Sequence, residues 1–287
     1  MKLKSFYDLI IKLAIERDPR TNKAAIKSYP DSTILFGSPD TEISKILVGI
    51  DMEIGELLLA DKIREKEGLD LVLSHHPEGL AYSLLHEVMY LQIDLLKQAG
   101  IPLNVARKLL IERIQEVERR ILPQNHTRSV DAARILNLPY MCVHTPADNH
   151  VFYFLKNLMR LKKPKAVGDI IDILLEIPEY NQALVKPRVI LGSPKRKVGK
   201  ILFEMTGGTE GSKDVFDKLY KAGVRTLISM HLSEEHLKKV KDANLNVVIA
   251  GHISSDALGL NLLFDRIEKV QELEIIGCSG FKRIKRD

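Results

Sequence analysis

Histidine and aspartate side chains recur in this sequence directly after apolar runs that read as strands. They lie in three motifs, SHHP, HTPAD and GHISSD, and the side chains are His75, His76, His144, Asp148, His252 and Asp256. Imidazole nitrogens and carboxylate oxygens without a thiolate are typical ligands of zinc, iron, manganese, cobalt or nickel in catalytic and regulatory sites. The repeated pattern therefore predicts a metal site.

The two adjacent histidines indicate how such a site would be built. His75 and His76 follow the apolar run LDLVL, and neighbouring residues of a strand point to opposite faces of a sheet. Diverging imidazoles are best used by two ions, which a carboxylate can bridge when the ions lie about 3.5 to 4 Å apart. We expect a dinuclear centre in which each histidine binds its own ion.

Two interpretations of these motifs need no metal. Ser254 or Ser255 can cap a helix whose first turn contains Asp256, where the helix macrodipole favours an anion, but this leaves His252 unexplained. A Ser/His/Asp triad can be drawn from Ser74 or Ser254 with nearby histidines, but the sequence has no GxSxG elbow. The metal site accounts for more of the pattern than either interpretation.

The elements that must position these residues alternate between helix and strand through most of the chain. This alternation is typical of βαβ units and a largely parallel sheet, in which ligands collect beyond the carboxyl ends of the strands. A turn-rich stretch before Pro187 separates two series of elements. We therefore predict an α/β protein with two lobes, residues 1–185 and 186–287.

Composition places the chain among ordinary soluble globular proteins. Of its 287 residues, 45% are hydrophobic and 28% are charged, and no apolar run approaches the length of about 18 residues that a membrane span needs. The start of the chain lacks the small-residue cleavage site of a secretory signal, so we expect a cytoplasmic protein. Nucleic acid is not an expected partner, because the net charge is only +5 and aromatic residues are only 6%.

The TGGTEG loop, residues 206–211, lies between a predicted strand and a predicted helix. Its backbone amides could form a small anion-binding nest around Gly207, Gly208 and Gly211. The loop matches neither the P-loop nor the dinucleotide-binding pattern, and a tight turn is the simpler interpretation. A contact with a phosphate-bearing small molecule is compatible with both.

In this order, SHHP, HTPAD, GGTEG and AGHISSDALG resemble the motifs of the NIF-three-like family, whose members often carry the description GTP cyclohydrolase type-one-like. The resemblance spans nearly the whole chain. It implies a two-lobed α/β fold, a dinuclear metal site between the lobes, and assembly of the chain with copies of itself into a hexamer. It also implies which residues bind the ions: His75, His76, Asp148, His252 and a bridging Asp256.

Three features depart from the family pattern. HTPAD stands where the family usually has HTNLD, and Asp256 replaces a glutamate that is one methylene longer, so a bridge requires a closer backbone. The segment from about 102 to 137 is longer than usual, and we interpret it as a helical insertion that brings His126 and Arg128 near the cleft. The other candidates for cleft residues are His144, His231 and His236.

Two hypotheses about function remain open. The leading one is a metal-dependent hydrolase that uses two divalent transition-metal ions to act on a small phosphorylated or nucleotide-like substrate. The alternative is a non-catalytic metal-carrying or regulatory module that binds other proteins. The family resemblance implies metal binding more directly than it implies GTP cyclohydrolase activity, so the sequence leaves the substrate and the reaction open.

Overall fold

The strands of the protein form two β-sheets with helices packed on their faces, as seen in a computed structural model that describes residues 1–286. The strands are β1 (Thr33–Phe36), β2 (Lys45–Gly49), β3 (Leu71–Ser74), β4 (Tyr140–Cys142), β5 (Arg188–Leu191), β6 (Lys200–Glu204), β7 (Val224–Ser229), β8 (Asn246–Ile249) and β9 (Glu274–Gly277). The helices are α1 (Leu3–Arg17), α2 (Ile54–Glu67), α3 (Gly79–Ser83), α4 (Leu85–Val88), α5 (Leu91–Ala99), α6 (Leu103–Ile121), α7 (Arg128–Leu136), α8 (Thr145–Lys162), α9 (Val167–Leu175), α10 (Pro178–Asn181), α11 (Phe216–Lys221), α12 (Glu234–Asp242) and α13 (His252–Ile267).

Both sheets are parallel except at one edge. The first has the strand order β1–β4–β3–β2–β9, with β1 antiparallel to β4. The second has the order β5–β8–β7–β6, with β5 antiparallel to β8. Every residue of β3 is buried, because apolar clusters cover both faces of the first sheet. The predicted α/β fold with largely parallel sheets is confirmed.

The last strand joins the first sheet. β9 pairs in parallel with β2, where Glu274 lies opposite Lys45, whereas the sequence groups this strand with the second lobe. The physical reason lies in α13, whose apolar residues Leu260 and Phe264 pack in one core with Ile46 of β2. This packing carries the chain back across the first sheet. The division into lobes of 1–185 and 186–287 stays a prediction.

Two helices, α6 and α7, occupy the segment 102–137. Ala106 and Leu110 of α6 pack in a core with Leu227 of the second sheet, whereas α7 packs against α2 beside the first sheet. The segment therefore contacts both sheets. Although α6 has 19 residues, neither it nor another helix within residues 1–286 is both long and apolar enough to cross a membrane.

A glycine permits the close crossing of α8 and α13. A Cβ atom added to Gly259 of α13 would lie 2.7 Å from the carbonyl oxygen of Ala147 and 2.9 Å from Cγ2 of Val151, both in α8. Carbon atoms do not approach main-chain atoms this closely, so a side chain here would push the helices apart. The crossing brings the start of α8 beside the first turns of α13.

We expect Gly259→Ala to lower the free energy of unfolding by about 1–3 kcal/mol, the usual cost of overfilling a packed contact. The added methyl group would meet main-chain atoms of Ala147, which cannot rotate away. Chemical denaturation followed by circular dichroism measures the change. Gly55→Ala is the matched control, because Gly55 also lies in a helix but an added Cβ would have no atom within 4 Å. An equal loss of stability in both variants would contradict the close-contact explanation.

Candidate metal centre

Two neighbouring strands and two packed helices bring the motif side chains together. His75 and His76 directly follow β3, and His144 follows its parallel neighbour β4. Parallel strands end at the same edge of a sheet, so these imidazoles meet there. Asp148 lies in the first turn of α8, and Asp256 lies in α13, which packs against α8.

One set of side chains converges on a single oxygen of Asp256. Nε2 of His76 lies 3.4 Å from Asp256 Oδ2, and Nε2 of His252 lies 3.5 Å from the same oxygen. The centroids of the two imidazole rings are 5.1 Å apart. We call His76, His252 and Asp256 Oδ2 the outer group, because the imidazole of His252 is 40% exposed.

A second set uses the other oxygen of Asp256. Nε2 of His75 lies 3.5 Å from Asp256 Oδ1 and 3.6 Å from Asp148 Oδ1. Nε2 of His144 lies 3.8 Å from Asp148 Oδ2. We call His75, His144, Asp148 and Asp256 Oδ1 the inner group, because all four residues are buried. Asp256, although shorter than a glutamate, thus presents one oxygen to each group.

The donor atoms have the spacing and the chemistry that metal ions require. In a tetrahedral site with bonds of about 2.0–2.1 Å, neighbouring ligand atoms are about 3.4 Å apart, close to the distances in both groups. His75 Nε2, Asp148 Oδ1 and both oxygens of Asp256 are buried without a hydrogen-bond partner within residues 1–286. Such atoms are costly to bury unless a cation or a donor reaches them. The set of His75, His76 and Asp256 can therefore hold a metal ion, as can the set of His75, His144 and Asp148.

Two of the imidazoles are oriented by an acceptor on their far nitrogen. Nδ1 of His75 lies 3.0 Å from the carbonyl oxygen of Val143, and Nδ1 of His76 lies 2.6 Å from Asp51 Oδ1. When Nδ1 donates its proton to such an acceptor, the lone pair is on Nε2, the nitrogen that faces Asp256. The rings are thus held in the tautomer of a metal ligand.

His144 has a buried carboxylate partner, Asp31. Nδ1 of His144 lies 2.8 Å from Asp31 Oδ2, and the same oxygen accepts a hydrogen bond of 2.6 Å from the hydroxyl of Thr145. Burial alone would lower the pKa of His144, but Asp148 and Asp31 outweigh it and raise this pKa to about 9. His144, predicted only as a cleft residue, therefore lies in the inner group with its ring oriented as that of a ligand.

Asp256 does not act as an ordinary residue of a helix start. The N-cap of α13 is Gly251 and the helix begins at His252, so Ser254 and Ser255 lie inside the first turn and the alternative of a serine cap is wrong. Burial would raise the pKa of Asp256, but the imidazoles of both groups hold it well below its usual range. Its carboxylate faces the two groups and stays charged.

Comparison with known proteins shows which solved structures the chain resembles. No protein-family model and no curated protein matches the chain. Among solved structures, a NIF3 superfamily protein from Sphaerobacter thermophilus is similar over 95% of this chain and 97% of its own, with a TM-score of 0.79 and 26% identity. The chain is therefore similar in fold and in sequence to a NIF3 superfamily protein over nearly its whole length. The resemblance inferred from the motifs is confirmed.

A weaker similarity connects the NIF3 fold of this chain with reduced HcgD from Methanocaldococcus jannaschii. The two proteins share 17% identity over 96% of this chain and 97% of HcgD, with a TM-score of 0.58. At this identity the comparison shows a common fold alone.

In this NIF3-like fold, we expect Asp51→Asn to weaken metal binding at the outer group about 10- to 100-fold. The loss of the carboxylate partner lets the ring of His76 turn and makes its Nε2 a poorer donor. The Asp51 side chain is 57% exposed, so the metal-free variant should melt as the wild type does. Competition with a chromogenic chelator measures the affinity. Asp40→Asn removes an exposed carboxylate paired with Lys2, and an equal weakening in this control would contradict the role of Asp51.

A cavity opens beside both groups. Its walls include His144, Asp148 and His252, so residues of the inner and the outer group both face it. Apolar side chains from α5, α6 and the second sheet form much of the remaining wall, among them Leu95, Leu110, Phe203 and Met230. The carboxyl groups of Glu204 and Glu210 complete the wall, and we refer to this space as the cavity.

His231 lines the cavity, whereas His236 lies behind it. Nδ1 of His231 lies 3.5 Å from Glu210 Oε1, and its ring centroid lies 4.9 Å from that of His252. His236 is buried, and its Nε2 lies 3.0 Å from the carbonyl oxygen of Gly211. His236 therefore holds the TGGTEG loop in place, and His231 is the one of the two that can meet a ligand.

The TGGTEG loop forms one edge of the cavity. Gly208 and Gly211 line it, and the carbonyl of Gly207 accepts a hydrogen bond of 2.7 Å from the side-chain amide of Gln92. Gly207 and Gly208 have φ of +98° and +86°, which favour glycine. The loop also carries Glu210, whose negative charge opposes an anion there. The anion nest stays a prediction.

His126 and Arg128 lie in a separate groove. This groove is also lined by Asp51, Glu78 and Tyr82. It approaches the outer group through Asp51, the partner of His76, and through Pro77, which follows His76. The segment 102–137 contacts the cavity through α6 instead.

Four carboxylates near the metal groups were not predicted from the sequence: Asp31, Asp51, Glu204 and Glu210. Asp51 and Glu204 carried a usable signal, because each stands at or just after the end of an apolar strand, as the motif histidines do. Asp31 and Glu210 lie in turns and carried no comparable signal.

Proposed function

We propose that the chain is a dinuclear metal-dependent hydrolase that acts on a small phosphorylated or nucleotide-like substrate. The observation that carries this proposal is Asp256, whose two buried oxygens face different imidazoles and have no hydrogen-bond partner within residues 1–286. A carboxylate in this position is suited to bridge two ions. The residues that would hold them are His75, His76, His144, Asp148, His252 and Asp256.

Two divalent transition-metal ions held there would supply Lewis acidity, both to acidify a water molecule and to polarise a substrate oxygen. The chain supplies the positions of the donor atoms. Asp51 and the carbonyl of Val143 fix the imidazoles of His76 and His75 through Nδ1. The absence of a thiolate from both groups suits a catalytic site better than a closed structural one.

His231 is the residue that we assign to proton transfer. Burial opposes ionisation of Glu210, but His231, the backbone amide of Ser233 and His236 outweigh it and lower the pKa of Glu210 to about 2. The carboxylate of Glu210 in turn raises the pKa of His231. Since Nδ1 of His231 is engaged with Glu210, Nε2 is the atom at which a proton can be taken up or released.

A ligand in the cavity would contact both His231 and the metal-binding residues. His231 lines it together with His144, Asp148 and His252, so a bound molecule can touch the proton-transferring residue and the metal-binding residues at once. The apolar walls exclude water from the rest of its surface. Exclusion of water strengthens the electrostatic interactions of the bound molecule with the charged side chains.

Phosphate release from GTP and from p-nitrophenyl phosphate tests this proposal. The protein is stripped with a chelator, reconstituted with manganese, zinc or iron(II), and assayed together with elemental analysis of the same sample. Two ions per chain with phosphate release that stops on chelation would support the hydrolase. Two ions without release from either compound would favour the metal-carrying alternative, and less than one ion per chain would contradict the dinuclear centre.

A further inference from the structure

Glu204 is a carboxyl group of the cavity that neither the metal groups nor proton transfer uses. It is the last residue of β6, paired in register with Ser229 of β7, and it lines the cavity. Its Oε2 atom is buried and has no hydrogen-bond partner within residues 1–286. A buried carboxyl oxygen without a partner lowers the stability of a protein. A ligand that supplies the missing hydrogen bond would remove this cost.

The partner that Glu204 lacks is a hydrogen-bond donor. A carboxylate only accepts hydrogen bonds, and a protonated carboxyl accepts at its carbonyl oxygen. Burial, and then the negative charge of Glu210, raises the pKa of Glu204 to about 7, which shows how poorly this carboxylate is compensated by the protein itself. A ligand group that carries nitrogen-bound hydrogens would supply what is missing.

The surroundings of Glu204 disfavour a ligand with an anionic group at this position. Within residues 1–286, neither lysine nor arginine lines the cavity, so an anionic group at Glu204 would lie near the carboxylate of Glu210 with no lysine or arginine to offset its charge. The apolar part of the wall, which includes Leu95, Phe203 and Met230, suits a flat hydrocarbon or aromatic body. Phosphate groups of a ligand would have to lie at the metal-binding end.

We propose that Glu204 selects planar ligands that carry nitrogen-bound hydrogens, such as an amidine or an amino-substituted heterocycle. The nitrogen end of the ligand lies at Glu204, its flat body lies against the apolar wall, and the bond to be hydrolysed lies beside the metal groups. This assignment of the reacting end rests on the proposed function. The contact with Glu204 does not.

Calorimetric titration with benzamidine and benzoate tests the proposal. The two probes share a flat ring, but benzamidine offers N–H donors where benzoate offers a carboxylate. We expect the metal-loaded wild type to bind benzamidine at least tenfold more tightly than benzoate. We expect Glu204→Gln, which keeps the size and removes the charge, to bind benzamidine at least tenfold more weakly, as loss of a charge-assisted pair of hydrogen bonds implies.

Two further measurements make the result specific to Glu204. Glu234→Gln removes one charge from the exposed start of α12 and should bind benzamidine as the wild type does. Glu204→Asp keeps the carboxyl group but withdraws it from the ligand, and it should also weaken binding. Melting curves of both Glu204 variants should match the wild type or lie above it. A folded Glu204→Gln with wild-type affinity for benzamidine, or equal affinity of the wild type for both probes, would overturn the proposal.

Repeating the titration in the presence of a chelator separates this inference from the proposed function. Benzamidine binding that depends on Glu204 and persists without metal supports the recognition site, even in a protein that releases no phosphate. Intact benzamidine binding by a metal-reconstituted protein that releases no phosphate would count against the hydrolase alone. Absence of benzamidine binding in both the loaded and the chelated wild type would overturn the recognition by Glu204.

Discussion

Replacing Asp256 with asparagine is expected to lower the metal content of the reconstituted protein from two ions per chain to less than one. Asp256 presents Oδ1 to the inner group and Oδ2 to the outer group, whereas an asparagine amide has one oxygen and no charge. Both groups would lose their shared anion, and the outer group would keep only His76 and His252. Elemental analysis after gel filtration measures the ions retained.

Two comparisons separate the loss of a ligand from the loss of the fold. Asp148→Asn removes a carboxylate that faces only the inner group, so we expect this variant to keep the ion of the outer group. In the presence of a chelator, Asp256→Asn should melt close to the wild type, because neither oxygen of Asp256 makes a hydrogen bond within residues 1–286. Retention of both ions by Asp256→Asn at wild-type affinity would show that another carboxylate bridges them.

Replacing His231 with asparagine is expected to lower phosphate release by about 10²- to 10⁴-fold, the range for loss of a general acid or base, while the metal content stays at the wild-type value. His231 lines the cavity but belongs to neither metal group. His126→Asn is the matched control, because His126 lies in the separate groove. A comparable loss in the control, or a loss of metal from His231→Asn, would contradict the assignment to proton transfer.

The pH dependence of kcat/KM gives a second readout for His231. Glu210 raises the pKa of His231, so Glu210→Gln should lower it. If His231 acts as the base, the rate rises with pH as its imidazolium loses a proton, and this rise should move to lower pH in Glu210→Gln. An unshifted profile would mean that the titrating group lies elsewhere.

The sequence predicts those parts of the site that depend on local patterns of apolar and polar residues. An apolar run that ends in a polar residue marks the end of a buried strand, and this is why His75 and His76 could be placed at the carboxyl edge of the first sheet before the structure was known. The α/β fold followed from the same alternation of runs. Asp148 and Asp256 each follow a motif histidine by four positions, which associates them with the site, whereas the family resemblance supplied their roles as ligands.

The remaining parts depend on contacts between residues far apart in the sequence. Asp31 and His144 are separated by 113 positions and meet because β1 pairs antiparallel with β4, a pairing that no local pattern encodes. Glu204 stands at the end of an apolar strand, as the motif histidines do, but its place in the cavity depends on how the second sheet packs. Neither residue differs in its own neighbourhood from an ordinary turn or strand-end carboxylate.

The position of β9 has a consequence for how the chain is made. β2 lies beside β3 on one side, but its other edge stays unpaired until residues 274–277 have been synthesised, and an unpaired strand edge can pair with another chain. α13, which carries His252 and Asp256, is made just before β9. The first sheet therefore receives its last strand at nearly the same stage of synthesis at which the residues of the metal groups are completed. A ribosome that stalls before residue 274 would leave a nascent chain with both an open sheet edge and an unfinished site.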